Sequence, residues 1–91
     1  MEEGNIDQYG YWDVDEQLKI ANNFIYHSPI KDQPQRYTQL RIQAKEMAER
    51  ILSLCPPSRE RSLALTKLEE SIFWANASIA RNEKETNQEN N

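Results

Sequence analysis

The sequence is poor in the residues that hold small domains together or carry chemistry. In 91 residues there is one cysteine, Cys55, and one histidine, His27. A lone cysteine excludes an internal disulfide, and one Cys with one His makes no credible zinc set, so neither a metal nor another cofactor is expected. No nucleophile or carboxylate partner is evident for His27, which leaves it without the company a general base needs. An enzyme is therefore not expected. Apolar runs are short: none approaches the roughly 20 residues needed to span a bilayer. Basic residues are outnumbered, with 11 Lys and Arg against 15 Asp and Glu and a net charge of -4. Broad DNA or RNA binding, which needs a basic face, is not expected. A small anionic ligand remains open, because a local cluster of cations sets the potential of a pocket whatever the total. The opening Met1-Glu2-Glu3-Gly4-Asn5 lacks an apolar stretch of the signal-peptide kind. With a free cysteine, it points to a reducing cytoplasm.

A chain of this length makes one domain at most, with a core too small for ample stability alone. Without disulfide or metal, self-association is the remaining support. Residues 1–12 read as an irregular arm with Tyr9, Tyr11 and Trp12, too aromatic for an ordinary disordered tail. Residues 13–82 read as a single all-α domain with helices at about 13–27, 32–55 and 58–82. Residues 83–91 contain no apolar side chain and read as a disordered tail.

The helix signals are specific. Asp13 with Glu16 forms a capping box, followed by Val14, Leu18, Ala21 and Ile25 at helical spacing. Pro29 ends that helix by Ser28. Asp32 is the expected N-cap of the second helix, with Pro34 in the tolerant first turn and Gln35 completing the box. Tyr37, Leu40, Ala44, Met47, Ile51 and Leu54 then form an apolar seam. Cys55-Pro56-Pro57-Ser58 is a hinge so short that its helices must be antiparallel neighbours. The third helix has its own seam at Leu65, Leu68, Ile72, Ala75 and Ile79. The expected architecture is an antiparallel helical hairpin with a short N-terminal helix, oligomeric.

The third helix carries more apolar surface than a hairpin needs. Leu63, Phe73, Trp74 and Ala77 fall well away from its seam and form a second stripe, shared with Arg59, Thr66, Glu70 and Arg81 and flanked by Lys67. Two coverings fit: the first helix folded back, or another subunit. Arg59 and Arg61 sit in the first turn, where cations oppose the helix dipole, so stability of that helix does not explain them. Two guanidinium groups beside free backbone N–H groups form a competent phosphate site. Thr66 and Lys67 lie two turns on, and Trp74 beyond them offers a flat surface for a base.

Several of these residues recur in recognisable runs. Tyr26-His27-x-Pro29 is followed by Gln33-Pro34-x-Arg36-Tyr37. Pro57-Ser58-Arg59-Glu60-x-Ser62-x-Ala64-x-Thr66-Lys67-Leu68-Glu69-Glu70 continues through Trp74-Ala75-Asn76-Ala77-x-Ile79-Ala80. Over residues 24–82 the chain resembles the helical-hairpin family of small phage proteins that includes the anti-CBASS and anti-Thoeris cyclic-nucleotide sponges. The resemblance implies a non-enzymatic protein of the host cytoplasm. Such a protein sequesters cyclic oligonucleotides or cyclic ADP-ribose isomers and so blunts an immune signal. It also implies a symmetric homo-oligomer, with the hexamer as the family's best-known form, and ligands held between protomers. Arg59, Thr66 and Lys67 inherit the binding role most directly, with Arg61 and Trp74 beside them. Tyr26, His27 and Arg36 make a second candidate surface. The anti-Thoeris branch resembles a β-containing part joined to the hairpin, whereas the thirty residues before this hairpin read as helix. The competing reading is a non-catalytic helical adaptor that binds a protein through the second stripe.

Overall fold

The computed structural model describes Gly10 and residues 13–84. The aromatic arm and the tail from residue 85 lie outside the described residues. Three helices follow one another, α1 (Val14–Asn23), α2 (Gln33–Leu54) and α3 (Arg59–Asn82), with no strand among the described residues. The expected all-helical hairpin is what the chain forms: α2 and α3 pack side by side, joined by the proline hinge.

Helix starts follow local chemistry. The Asp13 side chain accepts from Glu16 N–H at 3.0 Å, and Glu16 Oε1 accepts from Asp13 N–H at 3.2 Å, closing the capping box. Ser58 Oγ accepts from Arg61 N–H at 3.1 Å and caps α3. The start of α2 departs from expectation. Asp32 is its N-cap residue, yet makes no side-chain cap; its carboxylate turns to Arg36 Nη2, 3.1 Å away. Gln33 instead braces the preceding turn, its Oε1 accepting from Ile30 N–H at 3.0 Å. The chain enters through a tight turn in which Gln33 N–H bonds Ile30 O and Lys31 adopts φ 51°.

The first helix is shorter than 13–27. It stops at Asn23, with Phe24 N–H donating to Ile20 O as its last bond. His27 explains the stop: its Nε2 lies 2.8 Å from Asn22 O, and the imidazole satisfies a carbonyl that a further helical turn would have claimed. Residues 24–30 then run without helix to the turn at Lys31.

On α3 the predicted seam holds, for Leu65, Leu68, Ile72, Ala75 and Ile79 are all half-buried. On α2 it holds at Tyr37, Leu40, Ala44 and Ile51 but not at Met47 and Leu54, which are 49% and 76% exposed. Ala48 is half-buried in place of Met47, as expected when a straight helix of 3.6 residues per turn drifts off a 3.5-residue repeat. Among the described residues no apolar side chain is fully buried. The one buried residue is polar: Gln33, at 2% exposure.

The open end of the hairpin is tied by hydrogen bonds instead. Gln33 Nε2 donates to Ile79 O at 3.4 Å and to Glu83 Oε1 at 3.0 Å. Arg36 meets the Glu83 carboxylate through both terminal nitrogens, with Nη1 to Oε2 at 2.8 Å. Residue 83 was expected to open the disordered tail; it is instead the partner that closes the hairpin. Asn22 Nδ2 donates to Arg81 O at 3.3 Å and Arg81 Nη2 to Asn23 O at 3.4 Å, which anchors the end of α1 to the end of α3.

Candidate ligand-binding site

Arg59, Arg61, Thr66 and Lys67 lie on the hinge half of α3, and Trp74 lies further along it. Tyr26, His27 and Arg36 lie at the open end, about 35 Å from Arg59 and about 25 Å from Lys67 along the helix axis at 1.5 Å per residue. The two sets do not converge within one chain.

At the hinge end, Arg59 is exposed and has no hydrogen-bond or ion-pair partner among the described residues. Its neighbour behaves differently. Arg61 reaches back across the hinge, and its Nη1 donates to Leu52 O at 3.2 Å and Cys55 O at 3.1 Å. These are carbonyls at the C-terminal end of α2, which lack helical partners and sit at the negative end of its dipole. The presence of Arg61 in the first turn of α3 thus has a structural reason in the preceding helix. No sequence signal marked this role, which depends on how the Pro56-Pro57 hinge folds the chain back.

Further along, the outer face of α3 is an ordered ladder. Lys67 Nζ lies 3.3 Å from Glu70 Oε1, and Trp74 Nε1 donates to Glu70 Oε2 at 3.5 Å. Arg81 stands over the Trp74 ring, 6.0 Å from its centroid, at the outer limit of a cation–π contact. Glu70 therefore aligns a cation and an indole on one side of the helix. Phe73 and Trp74 remain 63% and 62% exposed, and no residue of α1 is buried. Of the two coverings open for this stripe, the first helix is not the one adopted.

At the open end, Tyr26 and His27 share a hollow of about 420 Å³ with Tyr37, Asn76, Ala77 and Arg81. Arg36 is outside it, committed to Glu83 and Asp32. Hydrogen bonds from Arg36 and then Gln33 hold the Glu83 carboxyl at a pKa of about 2, well below its ordinary 4.5. The same pairing, led by the Glu83 hydrogen bond, raises the Arg36 pKa further. Gln33 and Glu83 were not singled out as site residues, and they organise this end. Among the described residues no group of three or more His, Cys, Asp or Glu could hold a metal ion. Nor is any helix long and apolar enough to cross a membrane.

An antiparallel hairpin of two long helices with a short preceding helix defines an all-α helical-hairpin protein. The family model described as "Acb2/Tad1, hairpin domain" matches residues 16–80, and the chain belongs to that family. No curated protein and no solved structure matches the chain.

Proposed function

We propose that this protein is a phage immune-evasion sponge. It binds a cyclic nucleotide signal in the host cytoplasm and holds it without degrading it, as a homo-oligomer. The observation that carries the reading is the hairpin-family membership, joined to an unpaired Arg59 at the start of α3. A cyclic nucleotide presents phosphates and flat bases. Arg59, the adjoining first-turn N–H groups and Lys67 suit the phosphates, and Thr66 suits a phosphate oxygen or a base edge. Trp74, aligned by Glu70, suits stacking.

These groups lie along one convex helix, so ligand enclosure in this reading comes from a second protomer. Arg61 and Arg36 already serve the hairpin, and their part is to hold geometry and add positive potential. Tyr26 and His27, with Tyr37 and Arg81, form a second surface of the right chemistry at the open end.

A thermal-shift screen against cyclic mono-, di- and trinucleotides and cyclic ADP-ribose isomers tests the reading. A ligand at a hundred times its dissociation constant should add about 2.7 kcal/mol to the folded state. Denaturing the complex should release the nucleotide intact; a cleaved product overturns the reading, and so does the absence of any shift. In the latter case the adaptor reading takes its place.

A further inference from the structure

The open end carries a further hollow, of about 260 Å³, whose lining includes His27, Ser28, Gln33, Ala80 and Glu83. Glu83 brings its carboxylate to this end, where it accepts from Gln33 Nε2 at 3.0 Å, from Arg36 Nη1 at 2.8 Å and from Arg36 Nη2. The donors are fixed in place. Gln33 is 2% exposed, and Ile30 N–H holds its Oε1, so the amide cannot turn. Its Nε2 gives one hydrogen to Ile79 O and aims the other at the carboxylate. The acceptor is held differently. Glu83 follows the last residue of α3 on extended backbone, and its side chain is 40% exposed. Rotation of that side chain vacates the donors without breaking a helical hydrogen bond.

We infer that Gln33 and Arg36 form a cradle for a phosphate group, and that Glu83 is its internal competitor, displaced when the phosphate enters. The inference goes beyond the proposed function, in which Arg36 only shapes the site, and it does not require the ligand to be a cyclic nucleotide.

Three features favour it. A guanidinium fork beside an amide N–H fits the oxygens of a phosphate as well as those of a carboxylate. Arg36 also has more carboxylate than it needs: Asp32 lies 3.1 Å from its Nη2, so the guanidinium stays paired when Glu83 leaves. The adjoining hollow gives the remainder of a ligand room beside the cradle. A tethered carboxylate competes at an effective concentration in the millimolar range, which screens the cradle from dilute small anions. A ligand whose other contacts add to those of its phosphate overcomes that screen.

The test follows the Gln33 side-chain amide and Arg36 Nε–H by NMR in the full chain near neutral pH. Inorganic phosphate and dimethyl phosphate are titrated into wild type, Glu83→Ala and Glu46→Ala. Glu46 is exposed elsewhere on α2, and its removal controls for net charge. The expected result is saturable shifts of both signals in Glu83→Ala, with binding at least about tenfold tighter than in wild type or Glu46→Ala. Saturation by inorganic phosphate alone makes the ligand a free or terminal phosphate; saturation by the diester as well admits the linkages of a cyclic nucleotide. Equal affinity in wild type and Glu83→Ala, or shifts confined to residues outside the cradle, overturns the inference. Glu83→Gln serves as a second variant and should show a smaller gain, because its amide oxygen still accepts from Arg36. Loss of helical signal in both variants also overturns it, since a carboxylate whose removal unfolds the hairpin is not one that a ligand displaces. Phosphate binding here without a response to any cyclic nucleotide would keep this site and remove the sponge reading.

Discussion

Two arginines two residues apart in one helical turn do different work. Arg61 bonds the carbonyls of Leu52 and Cys55 across the hinge, whereas Arg59 has no partner among the described residues. Their substitutions should therefore separate. Arg61→Ala removes a cation from the C-terminus of α2 and is expected to lower stability by about 1 kcal/mol, read by urea denaturation. Arg59→Ala and Lys67→Ala should leave the melting curve of the free protein in place. In a desolvated site each should weaken cyclic-nucleotide binding by about 2 kcal/mol, roughly thirty-fold in dissociation constant, read by calorimetry. Wild-type affinity in both variants would remove the hinge end of α3 from the site.

This difference marks how far sequence reading reaches at the scale of residues. That cations at a helix start need an explanation was legible at Arg59 and Arg61. That one explanation lay in the preceding helix was not, because it depends on how sharply the Pro56-Pro57 hinge folds the chain back. Gln33 was hidden for a similar reason. Its partners Ile79 and Glu83 are 46 and 50 residues away.

At the scale of elements, caps and seams were the most legible features. The Asp13 box, the Ser58 cap, the proline hinge and the α3 seam are local patterns, and local patterns survive folding. The departures come where a distant or competing group intervenes: His27 ends α1 early, and Arg36 draws Asp32 away from its capping role. The tie between α2 and α3 at the open end has a pH signature. Glu83 titrates near 2 in the folded chain and ordinarily near 4.5. A carboxyl with a depressed folded-state pKa contributes stability above its ordinary value, and the contribution is lost as pH falls through the folded one. Thermal stability should drop between about pH 4.5 and 2, and Glu83→Gln should flatten that part of the profile. An acid limb identical in the variant would mean that the Arg36–Glu83 tie contributes nothing to it.

At the scale of the whole molecule, the described residues form an architecture without a buried apolar core. Most of their seam positions are half-buried, Phe73, Trp74 and several other large apolar side chains stand in water, and the most buried group is an amide. The sequence foreshadowed this through the second stripe on α3, but left open whether α1 would cover it. The answer required three dimensions, because the amphipathic pattern of α1 alone would fit either arrangement. Hydrogen bonds attach the end of α1 to the end of α3 and leave Phe73 and Trp74 bare. In the proposed homo-oligomer, burying Phe73 alone against a neighbouring chain would contribute about 2 kcal/mol, a substantial part of what a domain this small can muster.

A homo-oligomer of the kind proposed, in which each chain completes its interior with a neighbour, does not fold in a unimolecular reaction. Its unfolding midpoint should climb as protein concentration is raised, whereas that of a self-sufficient monomer stays fixed; calorimetric scans over a hundredfold dilution series distinguish the two. Inside a cell the same coupling would set a threshold for the proposed homo-oligomer. The first molecules made would be unpaired, with Phe73 and Trp74 uncovered and the hairpin within reach of proteases. Only once synthesis outruns their removal does the population become long-lived, so accumulation should rise more steeply than in proportion to the rate of translation.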